Sequence, residues 1–429
     1  MSKFGPISWL MGSSIFLAAM LAYQVNRNPT GTLANTSYES LELGNSIALK
    51  GSFSDPFAPL PTGPSAHVAP GYPALVALII KMFGSGPDGN FALGMVTKIV
   101  VAAQLALFPF LAEYLGFGCW PGAIAAAAWL VAAFPLERWE SDFAGLLIVI
   151  LAFPMYKAFF QELSTVGAIG TGVLWGLLLL LTPTPVLVLG AWLVCLRVVS
   201  RRSWRQLSFL LMVPVLVVFP WLVRNYRVFH QPVFLRDNLG LELAVSNNPC
   251  ATFSMDLNRE QTACFTSNHP NESYEEALRV RSLGEPTYNE MRLHEATSWI
   301  NNNRGQFLRL TAQRLVAFWF PNSTGNPLKQ GRLARSEWVA YGFTLLSVPG
   351  LLLLWRSRNR AAVVFSLWLS LYPLMYYLTQ VSPRYRDPIL WATLLPGSYL
   401  VVVFLLGIAG KSTAVSTGRE IVGSSLRSK

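Results

Sequence analysis

LSFLLMVPVLVVFPWLV, residues 207–223, is an apolar run without a single charge, entered just after Arg201, Arg202 and Arg205 and left at Arg224-Asn225. As a helix rising 1.5 Å per residue, a run of this length is about what a hydrocarbon core roughly 30 Å thick requires. Working outward, Phe143 to Phe160 and Ile389 to Gly410 are further runs of the same kind. The composition agrees: 52% of residues are hydrophobic, 13% are charged and the mean hydropathy is +0.41, whereas about 25% of residues are charged in an average soluble domain. Barrel strands would show as short alternating segments, which the sequence lacks. The expected class is an all-α polytopic transmembrane protein.

Spans are expected near 7–25, 92–112, 117–136, 143–160, 166–182, 185–199, 207–223, 337–355, 361–379 and 389–410, about ten in all. Ile7 to Val25 has a signal-peptide alternative, because Lys3 precedes it, but no small-residue cleavage site follows and further spans come later, which favours a first span. Tyr72 to Phe83 is too short to cross alone and reads as a re-entrant or interfacial helix. Four parts follow: a transmembrane module at 1–223, a water-exposed cap at 224–335, further spans at 336–410 and a tail at 411–429. Trp9, Trp221, Trp338 and Tyr372 suit interfacial belts, and packing between helices explains them equally well.

Lys and Arg in short loops mark the cytoplasmic side. Arg197, Arg201, Arg202 and Arg205 follow the sixth span, Arg356, Arg358 and Arg360 the eighth, and Lys411, Arg419, Arg427 and Lys429 lie in the tail. Alternation puts all of them on one side. Both termini are then cytoplasmic, and segments 26–71, 137–142, 224–335 and 380–388 face outward. The net charge of +11 is explained by these loops and calls for no nucleic-acid partner, leaving membrane lipids as the surface such a tail would touch.

The chemistry-bearing residues gather in the outward segments. The first carries Tyr38, Glu39, Glu42, Asp55 and His67 in a run rich in Gly and Pro, which no plain helical connector would contain. The second carries Glu137, Arg138, Glu140 and Asp142, and the last reads SPRYRDP at 382–388. Cys250 and Cys264 are the only cysteines of the large outward segment, and on an oxidising side they are expected to pair; Cys119 and Cys195 sit in apolar spans and are expected to pack there. No CxxC or Cys/His spacing suggests structural zinc.

Five pieces in order carry a resemblance: YESLELGNSIALKGSFSDPFAPLPTGPSAHVAPGYPALVALIIKMFG at 38–84, RWESDFAGLL at 138–147, PWLVRNYRVF at 220–229, DNLGLELAVSNNP at 237–249 and SPRYRDPILW at 382–391. Together they resemble a bacterial membrane glycosyltransferase of the GT-C superfamily, in the branch of the protein O-mannosyltransferases and lipid A aminoarabinose transferases. The resemblance implies a hexosyl- or pentosyltransferase that takes a sugar from a polyprenyl-phosphate carrier, with inversion, and passes it to a lipid, glycan or protein acceptor at the outer face of the cell membrane. It places the first-loop acid at Glu39, preceded by Tyr38 where relatives often have a second acid, and the second-loop acid at Glu140.

Such a transfer needs a base for the acceptor hydroxyl, which Glu39 can supply, and cationic donors for the departing phosphate, which Arg384 and Arg386 can supply. Snorkelling at the interface is the alternative for both arginines. Glu140 either orients the acceptor, or helps hold a divalent cation, or pairs with Arg138 as a solvated loop end. Glu39, Glu140 and His67 are the candidate ligands if a cation takes part, with His269 also outward; the four histidines lack ligand spacing, which favours a reading without metal. Asn247 and Arg224 are candidate substrate contacts, against a turn role and a helix-end anchor. Ser273 to Leu283 and Glu285 to Asn301 read as helices, and Gln306 to Phe320 as an amphipathic helix on the membrane surface, with Phe307, Leu310, Arg314, Leu315 and Phe318 at helical spacing. A transporter or lipid flippase is the rival class; it would carry ionisable groups at mid-membrane, where Lys98 is the main example.

Overall fold

The computed structural model describes residues 4–25, 28, 30–33, 38–132, 134, 136, 138–260, 262–321 and 335–407. Glu137 and the basic tail, both singled out above, lie outside the described residues. Among the described residues every regular element is helical, and bridges between extended segments are limited to Ser54 with Pro64 and Ser254 with Val381.

The chain opens with α1 (Pro6–Ala22), followed by α2 (Glu39–Lys50) and α3 (Gly71–Phe83), which pack on each other where Gly44 admits Val76. α4 (Pro87–Ala106) breaks at Leu107 and continues as α5 (Phe108–Tyr114), where Pro109 withholds the amide that an unbroken helix would use. Next come α6 (Trp120–Ala132), α7 (Glu140–Lys157), α8 (Thr165–Leu181), α9 (Val186–Val198) and α10 (Trp204–Phe229). α8 and α10 lie closely side by side because Gly172 and Gly176, one turn apart, sit under Val213 and Val217; a Cβ at either glycine would come within 2.7 Å of the valine. Small residues four apart let apolar helices approach through backbone contact, the arrangement that packs helices where lipid removes the hydrophobic drive.

The cap contains α11 (Leu239–Ser246), α12 (Met255–Glu260), α13 (Cys264–Asn268), α14 (Tyr274–Leu283) and α15 (Glu285–Asn302), close to the helices expected there. Gly240 lets α11 rest on the backbone of α15 at Asn289. Cys250 and Cys264 form the expected disulfide, with their Cα atoms 5.6 Å apart, while Cys119 and Cys195 are free thiols.

α16 (Arg304–Trp319) has the expected spacing, but Arg314 lies on its inner face: the guanidinium is fully buried and donates to Asn247 Oδ1 and to the carbonyls of Leu378 and Ser246. Leu308, Leu315 and Val316 are exposed on it, alongside Arg309 and Gln313. α17 (Arg335–Arg356), α18 (Ala361–Leu371), α19 (Leu374–Leu378) and α20 (Trp391–Gly407) complete the bundle. At its centre the buried rings of Trp175, Trp192 and Trp368 stack, with centroids 6.2 and 5.8 Å apart.

The protein is membrane-embedded. Pro87–Tyr114, Trp204–Phe229, Arg335–Arg356 and Ala361–Leu378 are long and apolar enough to cross, and a fifth crossing results if Pro383–Ile389 and Trp391–Gly407, bent by 61°, count as one span. That falls short of the ten expected from the sequence. The difference has a plain cause: α1, α6, α8 and α9 are apolar but only 13 to 17 residues long, and α7 carries Glu140, Asp142 and Lys157 within its 18 residues.

Candidate active site

The site begins with a loop that the sequence folds onto itself. α2 ends at Gly51 in the left-handed conformation, φ 68°, which a residue without Cβ adopts at no steric cost. Asp55 then accepts from the Gly63 amide at 2.9 Å and from Lys50 Nζ at 2.7 Å, drawing 54–64 into a narrow turn. Straps hold this turn against the cap and α10. Arg224 donates to the carbonyls of Ser65 (2.7 Å) and Phe53 (2.8 Å), Arg236 Nε to that of His67 (3.1 Å), and the Ala66 amide to Glu285 Oε1 (2.6 Å). Burial pushes the Glu285 carboxyl up to about 8 despite the Ser65 and Ala66 hydrogen bonds that favour its ionised form. The net effect is to present His67 on a fixed backbone.

His67 faces a cavity of about 720 Å³. Much of its lining is polar and carries charge of both signs. Tyr38 and Glu39 enter from the start of α2, Trp139 and Glu140 from the start of α7, Arg236 and Glu242 from the cap, Arg259 from α12, His269 from the end of α13, and Gln380, Arg384 and Tyr385 from the turn before α20. Apolar side chains from two helices complete it. Val186 and Leu187 of α9 and Leu211, Pro214, Val215, Val218 and Leu222 of α10 line it.

Arg384 is one of three arginines of this lining, its guanidinium 3.9 Å from the Trp139 ring centroid and 5.3 Å from that of Tyr385. Trp139 in turn meets Tyr38 edge-on at 4.8 Å, so the two aromatic rings and the arginine form one wall. Burial lifts the Glu39 carboxyl to about 7; the Glu242 charge adds to the rise, and Arg384 and Arg259 oppose it. Burial likewise raises Glu242. His269 is held down at about 3 by burial and by Arg259 and Arg292, and His67 is pushed well below its ordinary value by burial, so both rings are neutral. Glu39, His67 and His269 each place a potential ligand atom within 4.8 Å of the other two, with Glu39 Oε1 4.0 Å from His269 Nε2.

Tyr38, Glu39, Glu140, His67 and Arg384 thus share one cavity, with Glu39 and Glu140 from separate loops. Arg386, Asn247 and Arg224, offered by the sequence as substrate contacts, do not line it, because the polar atoms of each are engaged within the protein. Arg386 is buried and donates to the Trp319 carbonyl and to Thr344 and Thr393. Asn247 donates to the carbonyls of Leu243 and Leu378 and receives Arg314. Arg224 is one of the loop straps. Trp139, Arg236, Glu242, Arg259 and Tyr385 are cavity residues that the sequence reasoning did not single out. Trp139 and Glu242 stood inside quoted pieces, flanking Glu140 and in DNLGLELAV; Arg259 offered no signal, since only the fold of the cap brings it near.

No family profile matches the sequence, and no curated protein does. The fold, however, has been seen before. The chain is similar to the archaeal oligosaccharyltransferase AglB from Archaeoglobus fulgidus, solved in complex with an inhibitory peptide and a dolichol-phosphate, with a TM-score of 0.51, 13% identity, and 96% of this chain over 52% of that one. It is likewise similar to the Archaeoglobus fulgidus oligosaccharyltransferase in the apo form, with a TM-score of 0.51, 14% identity and 95% of this chain over 52% of that one. The chain spans about half the length of these structures. At such identity the likeness is one of fold.

Proposed function

We propose that the protein is a GT-C membrane glycosyltransferase that moves a single sugar from a polyprenyl-phosphate carrier to an acceptor at the outer face of the membrane, in the branch of the O-mannosyltransferases and aminoarabinose transferases. The observation that carries this reading is the mixed lining of one cavity: Glu39 and Arg384 line it together with apolar side chains of α9 and α10. A lipid-linked sugar phosphate has the same mixed character. Its isoprenoid belongs against Leu211, Val215 and Leu222, and its phosphate beside Arg384. The AglB structure contains a dolichol-phosphate, a lipid phosphate of related chemistry.

In the reaction the acceptor O–H gives its proton to a Glu39 oxygen, and the oxygen's electron pair forms the new bond to the anomeric carbon. The bond from that carbon to the phosphate oxygen breaks, and its electrons leave with the polyprenyl phosphate. Attack opposite the departing group inverts the anomeric centre. Arg384 compensates the charge that grows on the phosphate, an effect strengthened by the low dielectric of an enclosed site. A carboxyl with its midpoint near 7 suits a general base working at neutral pH. Glu140, the first residue of the 18-residue α7, lines the same cavity and orients the acceptor. In this proposal the short apolar helices α1, α6, α8 and α9 and the charged α7 also cross, giving about ten spans, with cytoplasmic termini and an outward cavity.

Deleting the protein and measuring lipid-linked sugars by mass spectrometry tests it. A polyprenyl-phosphate sugar should accumulate and disappear again when the intact chain is restored. An unchanged lipid-linked sugar pool, together with no turnover by the purified chain, refutes it.

A further inference from the structure

Glu39, His67 and His269 invite reading as a metal site, and the hydrogen bonding of His269 decides against it. Its Nδ1 accepts from the Asn271 amide at 3.1 Å. A backbone N–H is always a donor, so Nδ1 carries the lone pair, and in the neutral ring the proton is on Nε2. Nε2 is the atom that faces Glu39, at 4.0 Å from Oε1. A metal-bound histidine has the opposite pattern: the nitrogen away from the metal donates its N–H, and the one facing the metal keeps its lone pair. Without His269 the trio falls to two ligands.

We propose that His269 is a fixed Nε2–H donor that, together with Glu39, seats the oxygen of the acceptor's hydroxyl. This rests on the glycosyltransferase reading above. At 4.0 Å the two groups are too far apart to hydrogen-bond each other, but an oxygen about 2.8 Å from both completes a triangle with an apex angle of roughly 90°. That oxygen accepts from Nε2–H and donates its own proton to Oε1. The ring is not free to turn away: it is buried, it stacks on Phe265 at 4.4 Å with planes 10° apart, and the Asn271 amide pins Nδ1. His67, 2% exposed on the same cavity wall, has its Nδ1 without a hydrogen-bond partner, which leaves a second polar atom for the incoming acceptor.

The pair also selects the nucleophile. An alcohol oxygen both accepts and donates. A carboxamide nitrogen donates but has no lone pair available to accept, and an ionised phosphate oxygen has no proton to give and meets the Glu39 charge. The acceptor is therefore an alcohol, whether borne by a lipid, a glycan or a protein.

Two measurements on the full-length chain in nanodiscs test this. In the first, histidine nitrogens are labelled with ¹⁵N and the His269 signals are assigned by their loss in His269→Gln. The Nε2–H tautomer is expected, unchanged by one equivalent of Zn²⁺ or Mn²⁺; an Nδ1–H tautomer, or a stoichiometric metal-dependent shift at His269, overturns the proposal. This arm needs no activity. In the second, turnover of an undecaprenyl-phosphate-linked hexose is followed with alcohol, carboxamide and phosphate acceptors. His269→Ala should lower kcat/KM for the alcohol by about 10- to 100-fold, as expected for losing one hydrogen bond in an enclosed site, with the donor KM within about twofold of wild type and partial recovery in His269→Gln, which restores an N–H. An active chain indifferent to His269→Ala, or one preferring the carboxamide, overturns the subsite alone. No transfer to any acceptor by the wild type overturns the reading beneath it, even with the tautomer as stated.

Discussion

The dependence of turnover on pH should report the ionisation of Glu39. Burial lifts this carboxyl to about 7, with Glu242 pushing the same way and Arg384 and Arg259 pulling back. Only the ionised form can take the acceptor proton, so kcat/KM should follow the ionised fraction, near one half at the midpoint and about one hundredth two pH units below it. The sign is fixed: activity is lost as pH falls through about 7. Two variants move the limb in opposite directions. Glu242→Gln removes a negative neighbour and should shift the midpoint down; Arg384→Gln removes a positive one and should shift it up. Glu39→Gln keeps the side chain's size while removing its basicity, and should lower turnover by roughly 10² to 10⁴-fold, whereas Glu42→Gln, outside the cavity lining, should act as a near-neutral control. The assay is initial release of polyprenyl phosphate between about pH 5 and pH 9. An acid limb at an ordinary carboxylate midpoint, or one that survives in Glu39→Gln, refutes Glu39 as the base and moves the search to Glu140.

Arg384→Ala should weaken binding of the lipid-linked donor more than Arg384→Lys, since lysine keeps the charge but loses the forked donors; equal, wild-type affinity in both returns Arg384 to the role of an interfacial anchor. Arg386→Ala should instead lower the thermal midpoint in detergent, on the order of 3 kcal/mol for stranding buried acceptors, and donor affinity in the protein that remains folded should be unchanged. Reducing the Cys250–Cys264 disulfide should destabilise the cap by on the order of 3 kcal/mol by the chain-entropy argument, seen as earlier proteolysis between the two cysteines. Glu285 is held protonated above its ordinary range, so its contribution to stability is full below about 4.5 and is lost as pH rises through about 8. Glu285→Gln should flatten that loss, and a wild-type thermal midpoint that does not fall between pH 6 and pH 9 would count against it.

The lipid-facing character of this chain was legible because hydropathy is a local property: each residue of 207–223 contributes to it whatever surrounds the helix. The same locality explains why the cap helices α14 and α15 were found almost to the residue, one opened by the Ser273 cap and the other set off by Gly284 and Pro286. Pairing of Cys250 with Cys264 followed from their being alone in that segment. The gathering of Glu39, Glu140 and Arg384 was anticipated through the order of the quoted pieces, since nothing in their spacing brings residues so far apart together.

What only the tertiary structure decided is what each polar side chain spends its hydrogen bonds on. Arg384 and Arg386 stand two residues apart in SPRYRDP, yet one faces the cavity against Trp139 while the other is sealed among the Trp319 carbonyl, Thr344 and Thr393. A sequence gives the two arginines the same chemistry; a turn of about 120° per residue along the 3-10 path sends them to different environments. The histidines make the same point from the other side. In the sequence His67 and His269 are some two hundred positions apart with no ligand spacing, and the fold sets them 6.2 Å apart beside Glu39. Whether that trio is a metal site or a proton-transfer site then depends on one backbone amide, that of Asn271, because the proton it offers to Nδ1 determines which nitrogen of His269 has a lone pair to give.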